Sequence, residues 1–257
     1  MELRNPVKDK LLRGESSIGS WCLSGQPLAA EALAGAGFEW ISTDIEHFPI
    51  DVSAAADCFR AAHGMGAVPF ARLPACDPIW IKRFLDAGAM GVIIPLIRSA
   101  DDARRVVEGS RFPSMGRRPW GGGRVMFLYG RDAYLAGAND AICVLVQIET
   151  PEAVEDLDAI CAVEGIDGCF VGPNDLSLAM GLPLPGTPHA GREQLVRSLA
   201  ERIRAAGKIA GTVSASPAEA AQRIEEGYQM VSILGDLIYV RTGAAGAVAE
   251  MAGRGIM

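Results

Sequence analysis

The sequence predicts an α/β fold, a single (β/α)₈ barrel spanning residues 1–257, from three observations. Short apolar runs alternate with segments of helical period along the chain. Eight such strand-like runs can be counted. The length of 257 residues sits close to the roughly 250 typical of one such barrel.

The strand candidates are residues 18–23, 40–43, 67–72, 91–95, 142–148, 168–171, 209–213 and 230–234. Runs that are apolar throughout suit strands buried on both faces, as in a parallel sheet covered by helices. Eight strand–helix units in a chain of this length favour a closed barrel over a doubly wound open sheet. The open sheet usually carries a glycine-rich turn after its first strand, and Ser24-Gly25-Gln26 does not fit GxGxxG.

The helix candidates follow in order. Residues 29–36 end near Gly37, a natural C-terminal cap, and the Ala-rich stretch 52–63 ends at Gly64. Pro78 suits a first helical turn, after which Ile81, Phe84 and Leu85 share a face. Ser99 caps residues 100–108, with Asp101 and Asp102 in the first turn where the helix dipole favours them. Thr150-Pro151-Glu152 opens a helix to Ile160, residues 193–206 are long and amphipathic, and Ser216-Pro217 starts a helix towards Glu226. Residues 111–131 break the rhythm with Pro113, Gly116, Pro119, Gly121, Gly122, Gly123 and Gly130, and read as a loop or lid with several basic residues.

Composition narrows the function. With 49% hydrophobic and 21% charged residues the chain is ordinary globular protein, able to bury a core without disulfide or metal staples. A metal would therefore be present for chemistry. A net charge of -7 argues against a general nucleic-acid surface. It permits an anionic substrate where a local arginine and a metal reverse the field. Of six cysteines, Cys143 and Cys169 lie in apolar runs and no CxxC pair exists, so reduced structural thiols are expected. The first 13 residues are charged and lack an apolar leader core, and no apolar run reaches the ~18 residues of a membrane span. The expectation is a soluble cytoplasmic protein with neither nucleic-acid nor membrane partners.

A barrel of this kind gathers its chemistry at the C-terminal ends of its strands. Strand two is followed by Asp44-Ile45-Glu46-His47, strand three ends at Arg72, strand five in Gln147-Ile148-Glu149, and strand six leads into Gly172-Pro173-Asn174-Asp175. Glu149 and Asp175 follow neighbouring strands, and two carboxylates in one small space repel unless a cation lies between them. Hard oxygen ligands with room for water suit Mg²⁺ or Mn²⁺. Arg72 closes an apolar strand, where it needs a partner or a substrate oxygen. His47 lies three residues from Asp44, whose carboxylate can hold the imidazole in one tautomer and support it as a general base. The turn at residues 172–177 offers backbone N–H groups to a carboxylate.

At these residues the sequence resembles the HpcH/HpaI aldolases, the metal-dependent 4-hydroxy-2-oxoheptanedioate and 2-dehydro-3-deoxyaldarate aldolases. The likeness spans nearly the whole chain: Asn5-Pro6 with its helix, ALAGAGF at 32–38, DIEH at 44–47, Ala71-Arg72, IKRFLDAG at 81–88, PSMGR at 113–117, VLVQIET at 144–150, VEGID at 163–167 and VGPNDLS at 171–177. It implies a barrel of the phosphoenolpyruvate/pyruvate-domain type, assembled as a homo-oligomer (trimer or hexamer), with Mg²⁺, Mn²⁺ or Co²⁺ and no organic cofactor. It implies reversible cleavage of 4-hydroxy-2-oxoacids to pyruvate and an aldehyde through a metal-stabilised pyruvate enolate. Glu149 and Asp175 match the metal ligands, Arg72 the arginine on the keto oxygen, and His47 with Asp44 the acid/base dyad. Gln147 matches a residue near the metal, and backbone groups around Gly172, Pro173 and Asn174 match the carboxylate cradle. Asp86 matches an acidic position presented to a neighbouring subunit's site. Ile45 departs from the usual Gly or Met, residues 121–124 (GGGR) replace Gly-Pro-x-Arg, and Leu178-Ala179-Met180 is unusual; these leave the aldehyde open.

Three rivals compete. A Schiff-base aldolase needs a lysine at the barrel mouth. Here Lys8 and Lys10 precede the barrel, Lys82 lies in a helix, and Lys208 enters strand seven at the wrong end. An acyl-CoA lyase of the malyl-CoA or citryl-CoA type would need a nucleotide site, and none is evident. A non-catalytic oxoacid-binding barrel would not require Asp44, His47, Arg72, Glu149 and Asp175 together.

Overall fold

Eight parallel strands close into a barrel in sequence order, in a computed structural model that describes residues 2–183, 186–187 and 189–256. They are β1 (Ser17–Cys22), β2 (Trp40–Asp44), β3 (Val68–Arg72), β4 (Gly91–Ile94), β5 (Cys143–Ile148), β6 (Gly168–Val171), β7 (Ile209–Ser214) and β8 (Met230–Gly235). Every strand expected from the sequence is present. Closure comes from β1 pairing with β8, with a register shift between Gly19 and Trp21.

Large and small residues alternate around the barrel. Trp40 faces Gly19 across β1–β2, Phe70 faces Gly91 across β3–β4, and Phe170 faces Gly211 across β6–β7. A Cβ at Gly19 or Gly91 would lie 2.0 Å from its partner's ring, so the glycines are the space the aromatics fill. This is the large–small fitting a tapering barrel needs.

The helices are α1 (Pro6–Leu12), α2 (Pro27–Gly35), α3 (Val52–Gly64), α4 (Pro78–Ala87), α5 (Ala100–Ser110), α6 (Gly123–Tyr129), α7 (Arg131–Ala141), α8 (Pro151–Glu155), α9 (Leu157–Cys161), α10 (Pro173–Ala179), α11 (Ala190–Ala205), α12 (Pro217–Glu225) and α13 (Asp236–Gly253). The expected caps form: Ser99, Thr150 and Ser216 each accept from a backbone N–H three residues on. The helix expected from residue 150 to 160 is broken at Asp156, whose carboxylate accepts from the Ala100 N–H at 2.7 Å. Part of the connection at 183–191 lies outside the described residues. Among those described, all six cysteines are free thiols, and no helix is long and apolar enough to cross a membrane.

Two expectations need correction. Residues 111–131 do not form an open lid. Gly123–Tyr129 is helical, Val125 and Tyr129 are buried, and Arg111 and Arg118 are buried rather than facing solvent. Gly121 and Gly123 let the chain pass against Asp86, where a Cβ on Gly123 would lie 2.6 Å from the Asp86 carbonyl oxygen. The sequence reading also gave no helix after β8, whereas α13 runs for 18 residues. Its Ala- and Gly-rich sequence has no apolar stripe, and only Asp236 of it is buried.

At the N-terminal end of the barrel, Asp167 accepts from Arg111 Nη2 and the Val144 N–H, each at 2.7 Å, and pairs with Lys8 Nζ at 2.9 Å. Arg111 also donates from Nε to the carbonyl of Gly165 and from Nη1 to those of Asn139 and Ile142. This buried cluster is satisfied throughout.

Candidate active site

A cavity of about 440 Å³ opens at the C-terminal ends of the strands. Of the residues singled out from the sequence, all but Glu149 and Asp86 line it. β2 and β3 place Asp44 directly opposite Arg72 in register. The guanidinium grips that carboxylate with two bonds, Nε donating to Oδ1 at 3.0 Å and Nη2 to Oδ2. Such bidentate pairing fixes orientation as well as charge. The Arg72 Cζ also lies 4.9 Å from the centre of the Trp21 ring, which is itself held by Nε1 donating to Ser232 Oγ at 2.8 Å. Arg72 therefore enters the cavity as a pre-set cation.

Glu149 follows β5 and is 3% exposed. Its Oε1 accepts from the Leu96 N–H at 2.7 Å, and its Oε2 accepts from Gln147 Nε2. Leu96 adopts a left-handed backbone, with φ 59°, to present that N–H. Gly172 lies against the same groups: a Cβ there would sit 3.3 Å from both Glu149 Oε2 and Gln147 Nε2. A side chain there would press on both groups, so glycine eases the approach of the turn into α10. Asp175 then falls in the first turn of α10.

The electrostatics of this end are one-sided. Asp44, Glu46, Glu149 and Asp175 meet a single arginine, Arg72. Burial pushes the Glu46 carboxyl up to about 7; Arg72 opposes this, while Glu149, Asp44 and Asp175 add to it. Buried Glu46 Oε2 and Gln147 Oε1 have no hydrogen-bond partner. Excess negative charge beside unpaired buried oxygens fits a hard dication with oxygen ligands. Among the described residues no group of three or more His, Cys, Asp or Glu side chains is placed to hold a metal ion. A dication here would take Glu149 and Asp175 and complete its shell from water and substrate, as Mg²⁺ commonly does.

His47 lines the cavity with its side chain 51% exposed. Asp44 receives its backbone N–H at 3.4 Å, and no hydrogen bond joins the Asp44 carboxylate to the imidazole. In the turn at 172–177, the Gly172 N–H is already given to the Ile148 carbonyl at 3.0 Å, so it is not free for a substrate carboxylate. Pro173 has no N–H, which leaves those of Asn174 and Asp175 in the first turn. Asp86 lies away from this cavity, paired with Arg118 Nη2 at 2.6 Å. The sequence reading did not single out Trp21, Glu46 or Leu96. Trp21 and Glu46 had a signal, since each sits beside a strand's C-terminal end. Leu96 had none, because leucine does not announce a left-handed backbone.

Comparison with known proteins agrees with the fold. The family model described as HpcH/HpaI aldolase/citrate lyase matches residues 17–241. A 2-keto-3-deoxy-L-rhamnonate aldolase of Salmonella paratyphi B is 39% identical over 238 residues, covering 90% of this chain and 87% of its own. The crystal structure of an HpcH/HpaI aldolase/citrate lyase family protein from Burkholderia cenocepacia J2315 superposes with a TM-score of 0.90 at 33% identity, over 96% of this chain and 99% of that one. A citrate lyase beta subunit from Mycobacterium tuberculosis has a TM-score of 0.57 at 16% identity, over 88% and 94% of the two chains, a likeness of fold alone. The chain belongs to the HpcH/HpaI aldolase/citrate lyase family and is a carbon–carbon lyase of the aldolase type.

Proposed function

We propose that the protein is a divalent-metal-dependent aldolase cleaving 4-hydroxy-2-oxoacids reversibly to pyruvate and an aldehyde. The observation that carries this reading is the charge balance at the C-terminal end of the barrel: carboxylates from β2, β5 and α10 outnumber the one arginine among them. Glu149 and Asp175 would hold Mg²⁺, Mn²⁺ or Co²⁺. Such an ion supplies Lewis-acid stabilisation of negative charge on the 2-oxo oxygen.

The side chains of the protein do the rest. Arg72, fixed by Asp44 and Trp21, donates to the 2-oxo oxygen as charge develops there. The N–H groups of Asn174 and Asp175, beside Gly172 and Pro173, receive the substrate carboxylate. His47 takes the proton of the C4 hydroxyl. The C3–C4 bond then breaks, the aldehyde leaves, and the electron pair remains on the pyruvate enolate, whose C3 takes the proton back from His47 to become the methyl group of pyruvate. In synthesis His47 removes that methyl proton. Deoxy-sugar acids such as the one named for the Salmonella relative are the first substrates to try.

Self-association in the cytoplasm belongs to the same reading. In α13, Leu237 is 44% and Val240 70% exposed, apolar surface of the kind a second copy covers. A trimer or hexamer would also let Asp86 meet a neighbour's cavity. The deciding experiment is a retro-aldol assay coupled to lactate dehydrogenase, with and without Mn²⁺, over several 4-hydroxy-2-oxoacids. The expected result is metal-dependent pyruvate release that EDTA abolishes. Turnover that survives EDTA, but is lost on treatment with pyruvate and borohydride, would reject the reading for a Schiff-base mechanism.

A further inference from the structure

We propose that Glu219 selects the aldehyde half of the substrate: its carboxylate accepts a hydrogen bond from a hydroxyl of an uncharged hydroxyaldehyde, and turns away aldehydes that end in a carboxylate. The inference rests on the aldolase reading and deepens it. In that reading the pyruvate half sits among Arg72 of β3, Glu149 after β5 and the turn from β6 into α10, with C4 beside His47 after β2. Among the described residues β4 contributes nothing to the cavity lining, so the stretch β7–β8–β1 is left for the rest of the aldehyde. Trp21, Leu23, Val213, Leu234 and Ile238 give that stretch an apolar surface, and Glu219, in the first turn of α12, is the charged side chain on it.

The polar groups of this wall are acceptors, because its donors are spent. Trp21 Nε1 donates to Ser232 Oγ at 2.8 Å, the Ser214 hydroxyl to the Ser232 carbonyl at 2.6 Å, and the Ala215 N–H to Glu219 Oε2 at 2.8 Å. Among the described residues Glu219 pairs with one cation, Arg223, whose Nη2 reaches its Oε1 at 3.2 Å. That nitrogen lies closer to Glu193, at 2.8 Å, and Nη1 is given to Glu226. Three carboxylates thus share Arg223, and Glu219, with its side chain 26% exposed, keeps negative charge and lone pairs for a ligand. Capping α12 accounts for a glutamate three residues after Ser216, but it does not neutralise the carboxylate. The one arginine or lysine lining the cavity, Arg72, is gripped by Asp44 at β2–β3. A carboxylate tail would meet like charge and no donor, whereas a hydroxyl tail finds an acceptor.

Aldol synthesis from pyruvate in the presence of Mg²⁺, with glyceraldehyde and with succinic semialdehyde, tests this. The readout is the ratio of the two kcat/KM values, from which the active fraction of each preparation cancels. In the parent, glyceraldehyde is expected ahead by at least ~10-fold. Glu219→Gln keeps an acceptor oxygen for the cap and removes the charge. It should move the ratio towards succinic semialdehyde by roughly 10-fold, through a lower KM for that aldehyde, and Glu219→Lys should move it further. A parent that prefers succinic semialdehyde, or a ratio that Glu219→Gln leaves unmoved, overturns the proposal and leaves Glu219 as a cap of α12. Exchange of the pyruvate methyl protons with D₂O, followed by NMR in the parent, tests the aldolase reading with no aldehyde present. Exchange together with an unmoved ratio overturns the role of Glu219 alone, and absence of exchange overturns both.

Discussion

The two ends of the barrel hold buried charge in opposite ways. At the N-terminal end one carboxylate, Asp167, meets two cations, Lys8 and Arg111, and every Arg111 side-chain nitrogen has a partner. At the C-terminal end one arginine meets Asp44, Glu46, Glu149 and Asp175, and two buried oxygens have no partner. A satisfied cluster locks the chain, whereas an unsatisfied one waits for a ligand. The division matches the rule that this fold keeps stability at the bottom and chemistry at the top.

The largest effect expected from this contrast is on rate. His47→Ala should lower retro-aldol kcat by about 10²–10⁴-fold. Mn²⁺ affinity and the urea midpoint should stay near those of the parent, because the His47 side chain is half exposed. Steady-state kinetics with a metal titration checks this, and near-normal turnover would remove His47 as the base. At the other end the pattern reverses. Asp167→Asn strips from two buried cations the carboxylate that pairs with both, and breaking such a cluster costs about 3–5 kcal/mol. Urea unfolding should show that loss, while kcat of the protein that remains folded is unchanged.

These differences bear on what the sequence could disclose. The strands were legible because burial on both faces makes them continuously apolar, and Glu149, Asp175, Arg72 and His47 because strand ends converge in a closed barrel. The partnership between Asp44 and Arg72 was not, since it depends on a cross-strand register. Residues 111–131 misled because their glycines read as mobility, whereas at 121 and 123 they permit close packing on Asp86. The α13 helix was missed because most of its surface faces outward, so no buried stripe marks its period.

A smaller effect, in pH rather than rate, separates the ends further. Burial holds Glu46 at about 7 in the folded chain, against 4.5 for an unperturbed glutamate. The folded state therefore binds a proton that the unfolded state has lost across that window. The stabilising contribution is complete below about 4.5 and is lost as pH rises through about 7. Thermal melts of EDTA-treated protein should fall with pH over this range, and Glu46→Gln should flatten the slope. An identical slope in the variant would mean that another group titrates.

The smallest effect concerns backbone strain. The two non-glycine residues with positive φ among those described are Leu96, at 59°, and Leu234, at 50°. Leu96 follows β4, and Leu234 lies in the last turn of chain of β8, so both belong to the C-terminal rim. A left-handed conformation costs an ordinary L-residue roughly 1–2 kcal/mol, and asparagine tolerates it better. Leu96 is 54% exposed, so replacing it forfeits little apolar burial. Its N–H, which Glu149 accepts at 2.7 Å, survives any substitution except proline. Leu96→Asn should therefore raise stability by up to about 1 kcal/mol without loss of Mn²⁺ affinity. A destabilised variant with weakened metal binding would show that the leucine side chain, and not the backbone alone, holds Glu149 in place.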